Sequence, residues 1–197
     1  MEEAGRPRRG APRKDEVGAR ARILATASEL FYREGIRAIG VDTVVERSGV
    51  SKTSLYRQFS SKDALIAAVA TEQDRLFWSW WDRLEAQHAD DPRALLDALL
   101  AGIARRIGRP DYRGCPFLNL LTEFPDKDHP GVIIARANKA EMQRRLAVIA
   151  GRIGVSAPEQ VAAQFALIIN GAYAAGALAD PTTLRDGLAT AAAKLLA

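Results

Sequence analysis

Cysteine, histidine, lysine and aromatic side chains are all scarce in this chain of 197 residues. The single cysteine, Cys115, excludes an intrachain disulfide and fits a reducing compartment, so a cytoplasmic location is expected. The two histidines, His88 and His129, stand in no metal-ligand spacing and near no nucleophile motif, so neither a metal nor a catalytic centre is expected. Glycine-rich phosphate loops are also missing, since the run GVSKTS lacks the glycine pattern of a nucleotide-binding loop. Asp90-Asp91 reads as a loop and cap pair. Taken together these absences argue against an enzyme and against a cofactor. No apolar segment opens the chain, where MEEAGRPRRGAPRK stands, so no signal peptide is expected. The most apolar stretch, 165–179, is too short for a membrane span, contains Asn170 and consists largely of Ala and Gly. It reads as a buried helix, and no membrane partner is expected.

What is present favours helices. Ala, Leu and Arg abound, hydrophobic residues make up 48% and charged ones 26%, and no run alternates with period two. The expected class is therefore all-α. Charge is unevenly spread: residues 1–62 carry thirteen Lys/Arg against eight Asp/Glu, a net of +5, whereas 63–197 carry fifteen against sixteen, a net of −1. The excess positive charge lies in the first third, where a polyanion would be met.

Residues 1–16 are rich in Arg, Pro and Gly and read as a disordered basic tail. Two uses fit Arg6, Arg8, Arg9, Arg13 and Lys14: a solubilising tail, or an arm that follows phosphates or enters a minor groove. Helical spacing of Ile23, Leu24, Ala27, Leu30 and Phe31 predicts a first helix over 17–34, stopped at Gly35. A second covers 41–48, a third runs from the Ser51 cap through Leu55, Tyr56 and Phe59, and a fourth spans 62–87, capped by Ser60 or Ser61. Further helices are expected at 92–109, 116–123, 132–153, 158–178 and from Pro181 to about 196, the last capped by Asp180.

The segment VDTVVERSGVSKTSLYRQFSSKDAL, residues 41–65, carries the functional argument. Two short helices meet at Ser48-Gly49-Val50-Ser51. Gly49 suits a turn residue with positive φ, Val50 an apolar plug between the helices, and Ser51 an N-cap. Leu55 and Phe59, four apart, would anchor the third helix inward. Its other face offers Lys52, Thr53, Ser54, Tyr56, Arg57 and Gln58, the hydroxyls, amide and cations that reach base edges and phosphates. Lys62 lies beside the next helix N-terminus, where ammonium and amide groups together suit a phosphate.

The run GVSKTSLYRQFSSKDAL, preceded by GIRAIGVDTVVERS, closely resembles the N-terminal domain of TetR-family regulators, and the resemblance covers 17–63 without a gap. It implies a three-helix helix-turn-helix head on a larger helical body at 64–197, working as a homodimer on double-stranded operator DNA. By position it makes Lys52, Thr53 and Arg57 candidates for base contacts, and Ser54, Tyr56, Gln58 and Lys62 candidates for phosphate contacts. Many relatives carry Thr or Ser where Gly40 stands. That side-chain contact is absent here and Thr43 is expected to replace it, while Asp42 would repel phosphate unless it turns away.

The resemblance also implies that the body binds a small effector and dimerises. The small residues of INGAYAAGALA suit close packing of the last two helices into an intermolecular bundle; packing within the monomer is the alternative. Phe77, Trp78, Trp81, Phe117, Phe124, Phe165 and Tyr173 are the candidate pocket residues, which would favour an apolar or aromatic effector. Each is equally a candidate for the core. Cys115, before Pro116 at a helix start with Arg109 and Arg113 nearby, is a candidate thiol sensor. The overall expectation is a ligand-responsive repressor. Two alternatives are a thiol-switched regulator and a small-molecule binding protein whose head no longer reads DNA.

Overall fold

The computed structural model describes residues 14–176, 178 and 180–196, with side chains from 18 onward. The basic tail at 1–13, including Arg6, Arg8, Arg9 and Arg13, lies outside the described residues. Lys14 already opens the first helix, three residues before the expected start, since neither glycine nor proline stands between Lys14 and Val17.

The described residues form α1 (Lys14–Glu34), α2 (Val41–Ser48), α3 (Lys52–Gln58), α4 (Lys62–Gln87), α5 (Pro92–Ile107), α6 (Pro116–Glu123), α7 (Pro130–Ile153), α8 (Pro158–Ala175) and α9 (Pro181–Leu195). No strand occurs among them. The termini follow local chemistry. Ser61 accepts the Ala64 N–H at 3.0 Å and so caps α4, Asp91 caps α5 through Ala94 N, and Asp180 caps α9 through Thr182 N and Thr183 N. Proline opens α5, α6, α7, α8 and α9, where its missing N–H costs nothing. None of the described helices is long and apolar enough to cross a membrane.

The head consists of α1 packed on α2 and α3. Its core is Ile23, Ala27, Phe31, Val44, Val50, Leu55 and Phe59, all buried. In the body α7 packs along α8 and α4, and α9 closes against α5 and α8. Gly176 allows one close approach there: a Cβ would stand 2.4 Å from Ile107 Cγ2 and 2.7 Å from Tyr112 Cε1. So part of the small-residue run packs within the monomer. The other part does not: Leu167 is 73% exposed and Leu178 88%, and Gly171 between them faces open space.

Head and body are joined by hydrogen bonds around α6. Glu123, its last residue, accepts from the backbone N–H groups of Ile36 at 3.1 Å and Arg37 at 2.8 Å, both in the α1–α2 turn. The Tyr32 hydroxyl donates to Gly114 O at 3.1 Å and accepts from Arg113 N at 2.8 Å, tying α1 to the loop before α6. Gln73 of α4 donates to Ser28 of α1 at 3.0 Å.

Candidate nucleic-acid interface and an adjoining cavity

The reading surface is built by a tight turn and one cap. Gly49 adopts φ 64°, a left-handed conformation that favours glycine, and reverses the chain after α2. Ser51 Oγ then accepts the Ser54 N–H at 3.2 Å and donates to Ser54 Oγ at 3.0 Å, which starts α3. Leu55 is fully buried and Phe59 nearly so, while the Arg20 guanidinium lies 4.6 Å from the Phe59 ring centroid. With that side pinned, Lys52, Thr53, Tyr56 and Arg57 are exposed on the other, and Ser54 and Gln58 are half-buried beside them. Tyr56 is 46% exposed, a large ring left in water by a head that otherwise buries its apolar groups.

Asp42 resolves the sequence's one electrostatic conflict. Its carboxylate lies 2.7 Å from the Lys52 ammonium, and this partner raises the Lys52 pKa. The acid is thus directed at the first residue of α3 and draws the lysine toward α2. Gly40 caps α2 with no side-chain bond, and Thr43 is half-buried in the first turn of that helix. Lys62, the first residue of α4, is half-buried; desolvation lowers its ammonium pKa, opposed by the nearby Glu123 carboxylate. It therefore stands where the reading unit meets the body.

The aromatic residues proposed as a pocket separate into three groups. Trp81 and Phe165 are sealed in the core at 1% exposure, and Phe77 packs its ring against Trp78 at 4.9 Å, Trp80 at 5.6 Å and Phe117 at 6.4 Å. These rings fill space among themselves instead of enclosing it, and Phe124 stacks on His129 at 4.4 Å. Trp78, Trp81, Phe124 and Phe165 line neither the large cavity between head and body nor the small recess beside it within the body. Phe117 lines both, and Phe77 and Tyr173 line only a recess of about 10 Å³.

The larger cavity, about 660 Å³, lies between α1, α4, the loop before α6, and α6 itself. Its floor is Leu24, Phe31, Ile66, Val69, Phe117 and Leu120. Sequence reasoning read Leu24 and Phe31 only as apolar positions of the first helix, because helical spacing predicts a buried face without saying which partners share it. Glu123 was missed as well. Its only signal is an acid in the last turn of a helix, where the helix dipole disfavours it.

Cys115 is buried at the N-cap of α6. The cation beside its sulfur is not Arg109, which pairs with Asp111, but Lys139 of α7, whose Nζ lies 3.5 Å from Sγ and also donates to Asn170 at 2.9 Å. Among the described residues no group of three or more His, Cys, Asp or Glu is placed to hold a metal ion.

A polar face on a short capped helix, held at a glycine turn and mounted on a helical body, defines a helix-turn-helix regulator. The profile for bacterial regulatory proteins of the tetR family matches residues 23–69. The crystal structure of SCO4454, a TetR-family transcriptional regulator from Streptomyces coelicolor, superposes with a TM-score of 0.87 at 29% identity, covering 91% of this chain and 95% of that one. That of sav143 from Streptomyces avermitilis, assigned there to the TetR-type transcriptional regulators, gives 0.76 at 33% identity over 90% and 97%. The chain belongs to the TetR family, which comprises transcriptional regulators and not enzymes. It is 46% identical across 68 residues to the HTH-type transcriptional activator FasR of Mycolicibacterium smegmatis, spanning 34% of this chain and 30% of that relative. With the HTH-type transcriptional repressor Rv3405c of Mycobacterium tuberculosis it shares 28% over 117 residues, spanning 57% of this chain and 56% of the relative.

Proposed function

We propose that the protein is a ligand-responsive transcriptional repressor that binds a near-palindromic operator as a homodimer in the cytoplasm. The observation that carries the DNA-reading part is α3, a single short helix whose buried side is Leu55 and whose exposed side is Lys52, Thr53, Tyr56 and Arg57. Lys52, Thr53 and Arg57 are assigned to base edges, and Thr43, Ser54, Tyr56, Gln58 and Lys62 to phosphates. Dimerisation is assigned to α8 and α9, on the strength of Leu167, Gly171, Ala174 and Leu178, an exposed small and apolar stripe at helical spacing. Two heads so joined would enter successive major grooves about 34–36 Å apart. Repression is preferred because the relative aligned over the longer stretch is named a repressor. Control by a small molecule is supported by the 660 Å³ cavity, because head and body both contribute walls to it.

The test is a gel-shift titration against duplex from the promoter of its own gene. Specific binding that weakens with added salt supports the reading; equal binding to scrambled duplex overturns it. The Lys139–Cys115 contact supports a second reading, in which the thiol is the sensor. Full response to a thiol-reactive electrophile in Cys115→Ser would remove it.

A further inference from the structure

The polar groups that line the large cavity are nearly all engaged. Ser28 is held by Gln73, and Tyr32 by Gly114 and Arg113. Glu29 pairs with Arg33, Glu72 with Arg75, and Arg109 with Asp111. The Tyr112 hydroxyl donates to Tyr173 O at 2.7 Å, and Asn119 donates to Arg113 O at 2.9 Å. Arg106, in the last turn of α5, is the exception: among the described residues its guanidinium has neither a hydrogen-bond nor an ion-pair partner, and it lies where the cavity meets the small recess. The cavity is therefore an apolar floor with one exposed guanidinium at its edge that has no protein partner among the described residues.

We infer that this cavity takes an apolar molecule bearing a single carboxylate, its body on Leu24, Val69 and Phe117 and its charge on Arg106. The inference deepens the ligand-responsive reading and rests on it only for the consequence on DNA. A planar guanidinium with five donors matches a carboxylate and would pair with it in two parallel hydrogen bonds. The cavity's 660 Å³ is within the range that holds small ligands. Beyond Arg106 the recess, about 10 Å³, has room for little more than a water, so the ligand's charged end stops at the arginine and does not reach Cys115. A ligand there touches α1 and α6 at once, the two elements that Glu123 and Tyr32 tie together.

The test is calorimetric titration of the full chain, without DNA, using 4-phenylbutyrate and its neutral analogue 4-phenylbutan-1-ol. The wild type is expected to bind the carboxylate about tenfold more tightly than the alcohol, the worth of one charge-assisted contact. Arg106→Gln should erase that preference while leaving the alcohol's affinity and the melting temperature unchanged. Ala25→Trp, which places an indole in the cavity from α1, should weaken both probes; if it does not fold, the Arg106→Gln comparison decides alone. A wild type without carboxylate preference, or an Arg106→Gln protein that keeps it, overturns the inference. So does unchanged binding in a folded Ala25→Trp. Because these measurements contain no DNA, their failure is separate from failure of the gel shift.

Discussion

The head and the body solve opposite problems with the same secondary structure. In the head, three helices bury one side of α3 so that its other side stays polar and exposed, and its contacts are close in sequence: Ser51 with Ser54, Asp42 with Lys52, Gly49 with Glu46. The body uses longer helices to bury Trp81, Phe165, Met142 and Leu146 completely, and its ties to the head link residues far apart, such as Glu123 with Ile36 and Tyr32 with Gly114. A surface assembled from neighbours in sequence is a fixed reader. The cavity, by contrast, is assembled between two such units and takes walls from both.

That contrast predicts unequal consequences of substitution. The largest falls on the anchor of α3. Leu55→Ala should cost about 2–5 kcal/mol and abolish specific DNA binding, read by thermal unfolding and gel shift together. A variant that melts early yet still selects its operator would show that α3 is not positioned by the head core. Thr53→Ala should leave the fold intact and relax sequence choice by about 1–3 kcal/mol at one base pair, measured by selection from a random duplex library. At the seam, Glu123→Ala leaves the Ile36 and Arg37 amides without their carboxylate and should lower stability by about 1–3 kcal/mol. If its melting curve matches the wild type, the α6 tie contributes nothing.

Smaller effects separate charge from reading. Lys62→Ala should weaken specific and non-specific duplexes alike and reduce the salt slope by about one, whereas normal binding would remove its phosphate assignment. The smallest effect concerns acid. Hydrogen bonds from Arg144 and Arg145 hold the Glu141 carboxyl at about 2, below its ordinary range. Its stabilising contribution is full above the unfolded value near 4.5 and is lost as pH falls toward 2. Glu141→Gln should flatten that part of the acid-stability profile while leaving DNA binding at neutral pH unchanged.

The same contrast explains what was legible beforehand. The turn, the Ser51 cap, the Leu55–Phe59 anchor and the bounds of α2, α4 and α6 followed from local rules of glycine, capping and spacing. The cavity did not, because Leu24 of α1, Val69 of α4, Arg106 of α5 and Phe117 of α6 converge only through packing at a distance. Aromatic residues were a poor guide to it, since large rings pack against one another and Phe77, Trp78, Trp80 and Trp81 filled the space they define. Lys139 beside Cys115 was hidden for the same reason, the two standing 24 positions apart in sequence.

The claim that α3 reads DNA is tested most directly by anisotropy titration of the full chain against its own promoter duplex and a scrambled duplex, from about 50 to 200 mM salt. The account predicts tighter binding to one near-palindromic segment, with both affinities falling linearly on logarithmic axes as salt rises. Equal affinity for the two duplexes, or binding indifferent to salt, would contradict it.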